Sequence, residues 1–183
     1  MNTSPHLQLR PAVAADEARL LTWRNDPWIL ALGSLNRNVT ADEHHVWFAK
    51  RITNARHPIW VIEIAGEPAG MVRLDPCSNP TVAKVSLYLI RAHCGQGHGR
   101  KVLALTAEAA TSLGYRELHA SVRQDNVRSQ RAFLSAGYLM EATGEPELTM
   151  RLSLDDATAA RPVSINKPKP SAHDDAPPVS CAA

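Results

Sequence analysis

The chain has 183 residues, 44% of them hydrophobic and 21% charged, with a formal net charge of +2 at pH 7. That length predicts one domain with a real core, and those proportions are ordinary for a globular protein. So small a positive excess argues against a general nucleic-acid binder, which would carry a basic stripe.

Leu7 to Arg10 alternates as a short strand would. Asp16 to Trp23 carries Ala18, Leu20, Leu21 and Trp23 in a helical arrangement, broken at Arg24-Asn25-Asp26-Pro27 because proline pushes the residue before it out of the α region. Trp28 to Val39 has no period and reads as a loop. Thr40 and Glu43 form a capping box, and His45, Phe48, Ala49 and Ile52 then predict one buried helix face. Ile59–Ile64 and Gly70–Leu74 read as strands joined by the turn Ala65-Gly66-Glu67-Pro68. Val82 to Ile90 is a long apolar strand, and Gly97 to Leu113 a helix closed by Gly114. Leu118–Val122 is a further strand, and Asn126 caps a helix ended by Gly137. Tyr138–Ala142 and Leu148–Leu154 complete a hairpin across Thr143-Gly144-Glu145-Pro146. This order predicts an α/β (α+β) domain over 7–156, a mixed sheet with helices on its faces. Residues 157–183 are rich in proline and poor in large apolar residues, which predicts a disordered tail.

Neither a signal peptide nor 18 consecutive apolar residues is found, and Cys77, Cys94 and Cys181 have no paired framework. The expectation is a cytoplasmic protein without a membrane span. The eight histidines lack metal-ligand spacing, so no metal is expected.

The stretch between strand and helix carries the chemistry. Gly95, Gly97 and Gly99 alternate through a turn, leaving backbone N–H groups bare for an anion. The helix that follows adds its unpaired N–H groups and positive dipole end, and Arg100 and Lys101 add charge. This is a seat for a pyrophosphate. It is not a P-loop, since Gly99 is followed by Arg100-Lys101-Val102, and its spacing is not that of a dinucleotide fingerprint.

Cys94-x-x-Gly97-x-Gly99 resembles the Arg/Gln-x-x-Gly-x-Gly/Ala motif of the GCN5-related N-acetyltransferases (GNAT superfamily), departing at its first position. Asn126-x-x-Ser129-x-x-x-Phe133-x-x-x-Gly137-Tyr138 resembles the family's second block with all spacings kept. A capped helix with small packing residues would show much the same letters, so the order and separation of the two blocks carry the resemblance. It implies the GNAT fold, with a mixed, mostly antiparallel central sheet flanked by helices, and acetyl-CoA as cofactor. It places the cofactor against Leu89, Ile90, Arg91, Cys94, Gly95, Gln96, Gly97, His98, Gly99 and Arg100, and against Asn126, Ser129 and Phe133. Phe133 stands where many members carry a proton-donating tyrosine. A thiolate with a conjugate-acid pKa near about 8.5 still leaves at neutral pH, and Tyr88 or Tyr138 is the candidate substitute.

The implied chemistry is direct attack by an uncharged amine, with N–H groups around Leu89 to Arg91 polarising the thioester carbonyl. An α-amino group, with a pKa of about 7.8, is roughly a third neutral near cytoplasmic pH, against roughly one in a thousand for a lysine. No strong base stands out; the candidates are Glu43, His44 and Asp75. Trp23-Arg24-Asn25-Asp26-Pro27 and Glu43-His44-His45-Val46-Trp47-Phe48 resemble blocks of acetyltransferases acting on nucleotide-linked 4-amino sugars, and more loosely those of ribosomal-protein N-terminal acetyltransferases. The resemblance implies a small-molecule amine partner, a sugar nucleotide, held by Arg24, Asn25, His45 and Trp47. It leaves open a protein N-terminal or aminoglycoside acetyltransferase, a non-catalytic acetyl-CoA sensor, and a monomer or homodimer.

Overall fold

The computed structural model describes residues 6–33, 37–143 and 147–155. The tail beyond 156 and the turn at Gly144-Glu145-Pro146 lie outside the described residues. Seven strands form one sheet: β1 (Leu7–Pro11), β2 (Ile59–Ile64), β3 (Glu67–Pro76), β4 (Val82–Leu89), β5 (Glu117–Arg123), β6 (Leu139–Thr143) and β7 (Glu147–Ser153). Their spatial order is β1-β2-β3-β4-β5-β7-β6. All neighbours are antiparallel except β4 and β5. Between β1 and β2 come α1 (Glu17–Arg24), α2 (Pro27–Leu30) and α3 (Ala41–Ile52); α4 (His98–Ser112) joins β4 to β5, and α5 (Val127–Ser135) follows β5.

Side-chain alternation along the strands divides the interior in two. Ala83, Val85, Leu87 and Leu89 of β4 and Leu118, Ala120 and Val122 of β5 pack with Val102 and Leu103 of α4 and Phe133 of α5. On the other face Tyr88 and Met71 pack with Leu20, Ile29 and Phe48 of the first three helices. The sheet therefore separates an α4/α5 face from an α1–α3 face.

The feature that positions the site is the gap between β4 and β5. Only Val82–Lys84 pair with Glu117–His119, after which the two strands splay. On its other edge β4 stays paired with β3 through Leu89, and Ile90 N–H donates to Ala69 C=O at 2.9 Å. Alternation from that bond turns the N–H groups of Leu87 and Leu89 away from β3 and into the splay. Gly70 makes this close approach feasible: a Cβ there would lie 2.2 Å from the Tyr88 carbonyl oxygen.

Three expectations are corrected. Trp28–Val39 is not all loop, because Asp26 accepts from Trp28 N–H at 2.8 Å and Pro27 takes the first position of the one-turn helix α2. The β2–β3 connection is the two-residue turn Ala65-Gly66, with φ of 55° and 86°, so Glu67 and Pro68 already belong to β3. The capping box of α3 forms, with Glu43 N–H donating to Thr40 Oγ1 at 3.2 Å and Thr40 N–H to Glu43 Oε2 at 2.9 Å. Its buried face, however, runs through His44 and Phe48 rather than His45 and Phe48. Both histidines fall within a turn of Phe48, and spacing alone does not choose between i−3 and i−4.

Candidate active site

Two cavities open on opposite faces of the sheet, and the lining residue they share is Leu87. The smaller is a slot of about 30 Å³ on the α4/α5 face, lined by Leu87, Leu89, Gly99, Leu103, Arg128, Ser129, Ala132 and Phe133. It brings together the two sequence blocks, which are separated by nearly thirty residues of chain. Contact between them is tight, since a Cβ on Gly99 would meet Ala132 Cβ at 3.3 Å. Asn126 caps α5 by accepting from Ser129 N–H at 3.1 Å, which fixes Ser129 at the slot's edge.

Beyond the slot the chain turns through Arg91–His93 and the glycine stretch. Gly95 and Gly97 have φ of 75° and 78°, and a Cβ on either would meet nothing within 4 Å. The glycines therefore serve backbone conformation and an open approach, not packing. Gly97 caps α4 without a side-chain partner, leaving the helix's first N–H groups facing outward beside Arg100 and Lys101. Cys94 lies below the turn with its Sγ 3.5 Å from the Ile90 carbonyl oxygen. His98 is buried, and Gln96 spans the loop by donating to Ala92 C=O at 2.9 Å. The glycine turn thus offers an anion cradle beside a narrow, largely apolar slot, with Gly99 common to both.

The larger cavity, about 490 Å³, lies on the α1–α3 face. Its walls include Arg24, Arg37, Arg73, Lys84 and Arg123 against only two carboxylates, Glu43 and Asp75. Both carboxylates are engaged. Arg37 donates to Glu43 at 2.9 and 3.0 Å, and with the Thr40 cap this holds the Glu43 carboxyl down at about 2. Asp75 is ion-paired with Arg51, and Arg73 Nε lies 3.2 Å from it. Trp47 lies under both guanidiniums, 5.2 Å from Arg51 and 5.5 Å from Arg73.

Tyr88 reaches this cavity from the strand beside the splay. It is 6% exposed, packed edge-on to Trp23, and its buried hydroxyl has no hydrogen-bond partner among the described residues. Burial pushes its pKa up, against the pull of Arg24 and Arg73. His44 is 3% exposed, and burial lowers its pKa. Its Nδ1 is buried without a partner among the described residues, so protonating the ring would bury an N–H with no acceptor among them. The imidazole stays neutral and is a weak base.

Several expected site residues lie elsewhere. His45 is 68% exposed in its side chain and bonds Glu17 at 2.9 Å, outside the cavity; His44 takes the inward place. Asn25 accepts from Val39 N–H and donates to Val39 C=O, both at 2.8 Å, so it clamps the loop rather than lining the cavity. Tyr138 packs edge-on to Phe133, 4.8 Å between centroids, but does not line the slot. Residues the sequence left unassigned also line the cavity, among them Arg73, Lys84, Ser86, Ser121 and Arg123. The period-two pattern of β4 and β5 was the signal for all but Arg73, which joins the same face from β3, opposite Ser86.

The sheet thus splays at its one parallel pair, with an open helix N-terminus after the β4 strand. The family model for the acetyltransferase (GNAT) domain matches residues 6–139, so the chain belongs to the GNAT family and is an N-acetyltransferase. Among solved structures it is similar to YncA from Salmonella typhimurium with acetyl-CoA, at 25% identity and a TM-score of 0.70 over 87% of this chain and 99% of that one. It is also similar to aminoglycoside acetyltransferase AAC(6')-Ib with coenzyme A and kanamycin, at 17% identity and a TM-score of 0.73 over 85% and 100%. A third is spermidine N-acetyltransferase from Vibrio cholerae with CoA and spermine, at 18% identity and a TM-score of 0.68 over 79% and 92%. The likenesses at 17% and 18% identity are of fold. No curated protein matches the chain significantly.

Proposed function

We propose that the protein transfers the acetyl group of acetyl-CoA to the primary amine of an anionic small molecule, the 4-amino group of a nucleotide-linked sugar. The observation that carries this reading is the excess of cations around the larger cavity, joined at Leu87 to the cofactor slot. A polycation such as spermine or kanamycin would meet Arg24, Arg73 and Lys84 at close range, whereas a nucleoside diphosphate would neutralise them. The paired Arg and Trp side chains also suit a diphosphate and a ring.

Bound along the slot, acetyl-CoA supplies an acetyl group already activated as a thioester. The glycine turn, the α4 N-terminus and Arg100 would hold its pyrophosphate, and Leu89, Ser129 and Phe133 would flank its arm. Leu87 and Leu89 direct N–H groups into the splay, where they would donate to the thioester carbonyl oxygen without reorganisation. Glu43 and Asp75 are counter-ions, and His44 is held neutral. The amine therefore arrives with a low pKa of its own and loses its proton to water in the open cavity. Phe133 has no proton to give. Tyr88 keeps its own at physiological pH, too tightly to protonate a thiolate outright, and is assigned as a hydrogen-bond donor that would steady the leaving sulfur from the acceptor side. The reaction belongs in the cytoplasm, where the thioester is available.

The test is CoA release measured side by side with a UDP-linked 4-amino-4,6-dideoxyhexose, spermidine, kanamycin and an N-terminal peptide. The sugar nucleotide is expected to lead in kcat/KM by at least about tenfold, the worth of one well-placed charge pair. A polycation leading the series would overturn the reading.

A further inference from the structure

The splay has a vertex as well as an open end. The last paired residues are Lys84 of β4 and His119 of β5. One alternation further on stand Ser86 and Ser121, and then Tyr88 and Arg123 at the wide end. All of these but His119 line the larger cavity. Lys84 is exposed, and neither it nor Ser86 nor Ser121 makes a side-chain hydrogen bond or ion pair among the described residues. Arg37 and Arg123, by contrast, are paired with Glu43 and Asp125, and Arg73 and Arg51 share Asp75. At the vertex, then, a cation and two hydroxyls face the cavity with no hydrogen-bond or ion-pair partner among the described residues, since Asp75, opposite Lys84 on β3, is taken by Arg51 and Arg73.

Resting on the proposed function, in which the acceptor cavity meets the cofactor slot at Leu87, we infer that Lys84, with Ser86 and Ser121, forms the subsite that reads the acceptor's phosphate. Lys84 lies three residues before Leu87, about 10 Å at the rise of an extended strand. The lysine stands off the sheet, so that span is left to the acceptor: one hexose ring, the bonds to its amine and its phosphate, and a hydrogen bond to the ammonium together match it. The phosphate read at the vertex is thus the one attached across a single sugar ring from the amine. Lys84 is a specificity-determining residue: it holds the anion and takes no part in bond making. An ammonium with two flanking hydroxyls supplies hydrogen bonds to several phosphate oxygens at once, one of them charge-assisted.

The test uses the full chain saturated with CoA, so that the pyrophosphate seat at the glycine turn is filled. Inorganic pyrophosphate and UDP are titrated calorimetrically into wild type, Lys84→Gln and Lys84→Arg. Wild type is expected to bind both. Lys84→Gln is expected to weaken both at least about fivefold and flatten the dependence of Kd on salt, with Lys84→Arg restoring most of the affinity. With the best amine of the acceptor panel, Lys84→Gln raises KM for a phosphorylated acceptor and leaves kcat and acetyl-CoA affinity in place. Equal pyrophosphate affinity in wild type and Lys84→Gln, or no pyrophosphate binding to wild type, overturns the inference. Pyrophosphate binding that depends on Lys84 while UDP binds no better would sink the nucleotide reading and leave the phosphate subsite standing.

Discussion

At the scale of single residues, the site is decided by which charged groups are already occupied. Glu43 was legible as a helix cap from Thr40-Ala41-Asp42-Glu43, and the structure shows cap and Arg37 partner together consuming it. A carboxylate held near about 2 is nearly all ionised at neutral pH but binds a proton too weakly to serve as a base. Glu43→Gln is therefore expected to leave the pH dependence of kcat/KM in place between pH 6 and 9, and a lost acidic limb in that window would contradict the assignment. Tyr88→Phe is expected to lower kcat by about 10- to 100-fold while acetyl-CoA affinity holds, checked by steady-state kinetics beside calorimetry. An unchanged kcat would remove Tyr88 from the chemistry. The inward place of His44 over His45 was not legible, because helical spacing admits both, and only packing against α1 chooses. The partners of Asp75 were hidden for a related reason: Arg51 comes from α3 and Arg73 from β3, and no local pattern joins them.

At the scale of elements, turns and caps were read well because their chemistry is local. Gly97 at φ 78° is one such position. Gly97→Val adds a branched side chain to a left-handed conformation and should abolish acetyl-CoA binding; an unaltered Kd by calorimetry would contradict the cradle. Gly70 was read only as the start of a strand, yet it is where β3 lets the β4 backbone come close. Gly70→Ala is expected to push β4 away from β3 and lower the melting temperature by several degrees, consistent with the roughly 1–3 kcal/mol of an overpacked site. A melting curve matching wild type would show that β4 accommodates the methyl group. The short helix α2 was missed although its signal, Asp26 before Pro27, lay in the sequence, because a break was inferred from the proline and its value as a helix start was not.

At the scale of the whole molecule, the two blocks in order pointed to the fold, while the cavity on the opposite face could not be read from them. Which strands neighbour one another is a long-range fact, and the acceptor side depends on β3, β4, β5 and α1–α3 converging. The first strand is tied to that assembly by Arg10, which donates to buried Asp16 at 2.9 and 3.0 Å and to Glu63 at 2.7 Å. Arg10 and the Val13 N–H together lower the Asp16 pKa. Because the folded-state value lies below the unfolded one, this stabilisation is complete above the unfolded pKa of about 4 and is lost as pH falls through the lower folded value. Asp16→Asn should therefore destabilise the protein at pH 7 by about 1–3 kcal/mol and make denaturant midpoints fall less steeply as pH drops below about 4; a slope equal to wild type would contradict it. The central claim is that the acetyl group passes through the β4–β5 splay from one face of the sheet to the other. A crystal structure of the protein with CoA tests it most directly. The pyrophosphate is expected on the N–H groups of Gly95 to Gly99 and the thiol end between Leu87 and Phe133, open to the cation-lined cavity. A thiol end lying outside the splay, with Leu87 closing the passage, would contradict it.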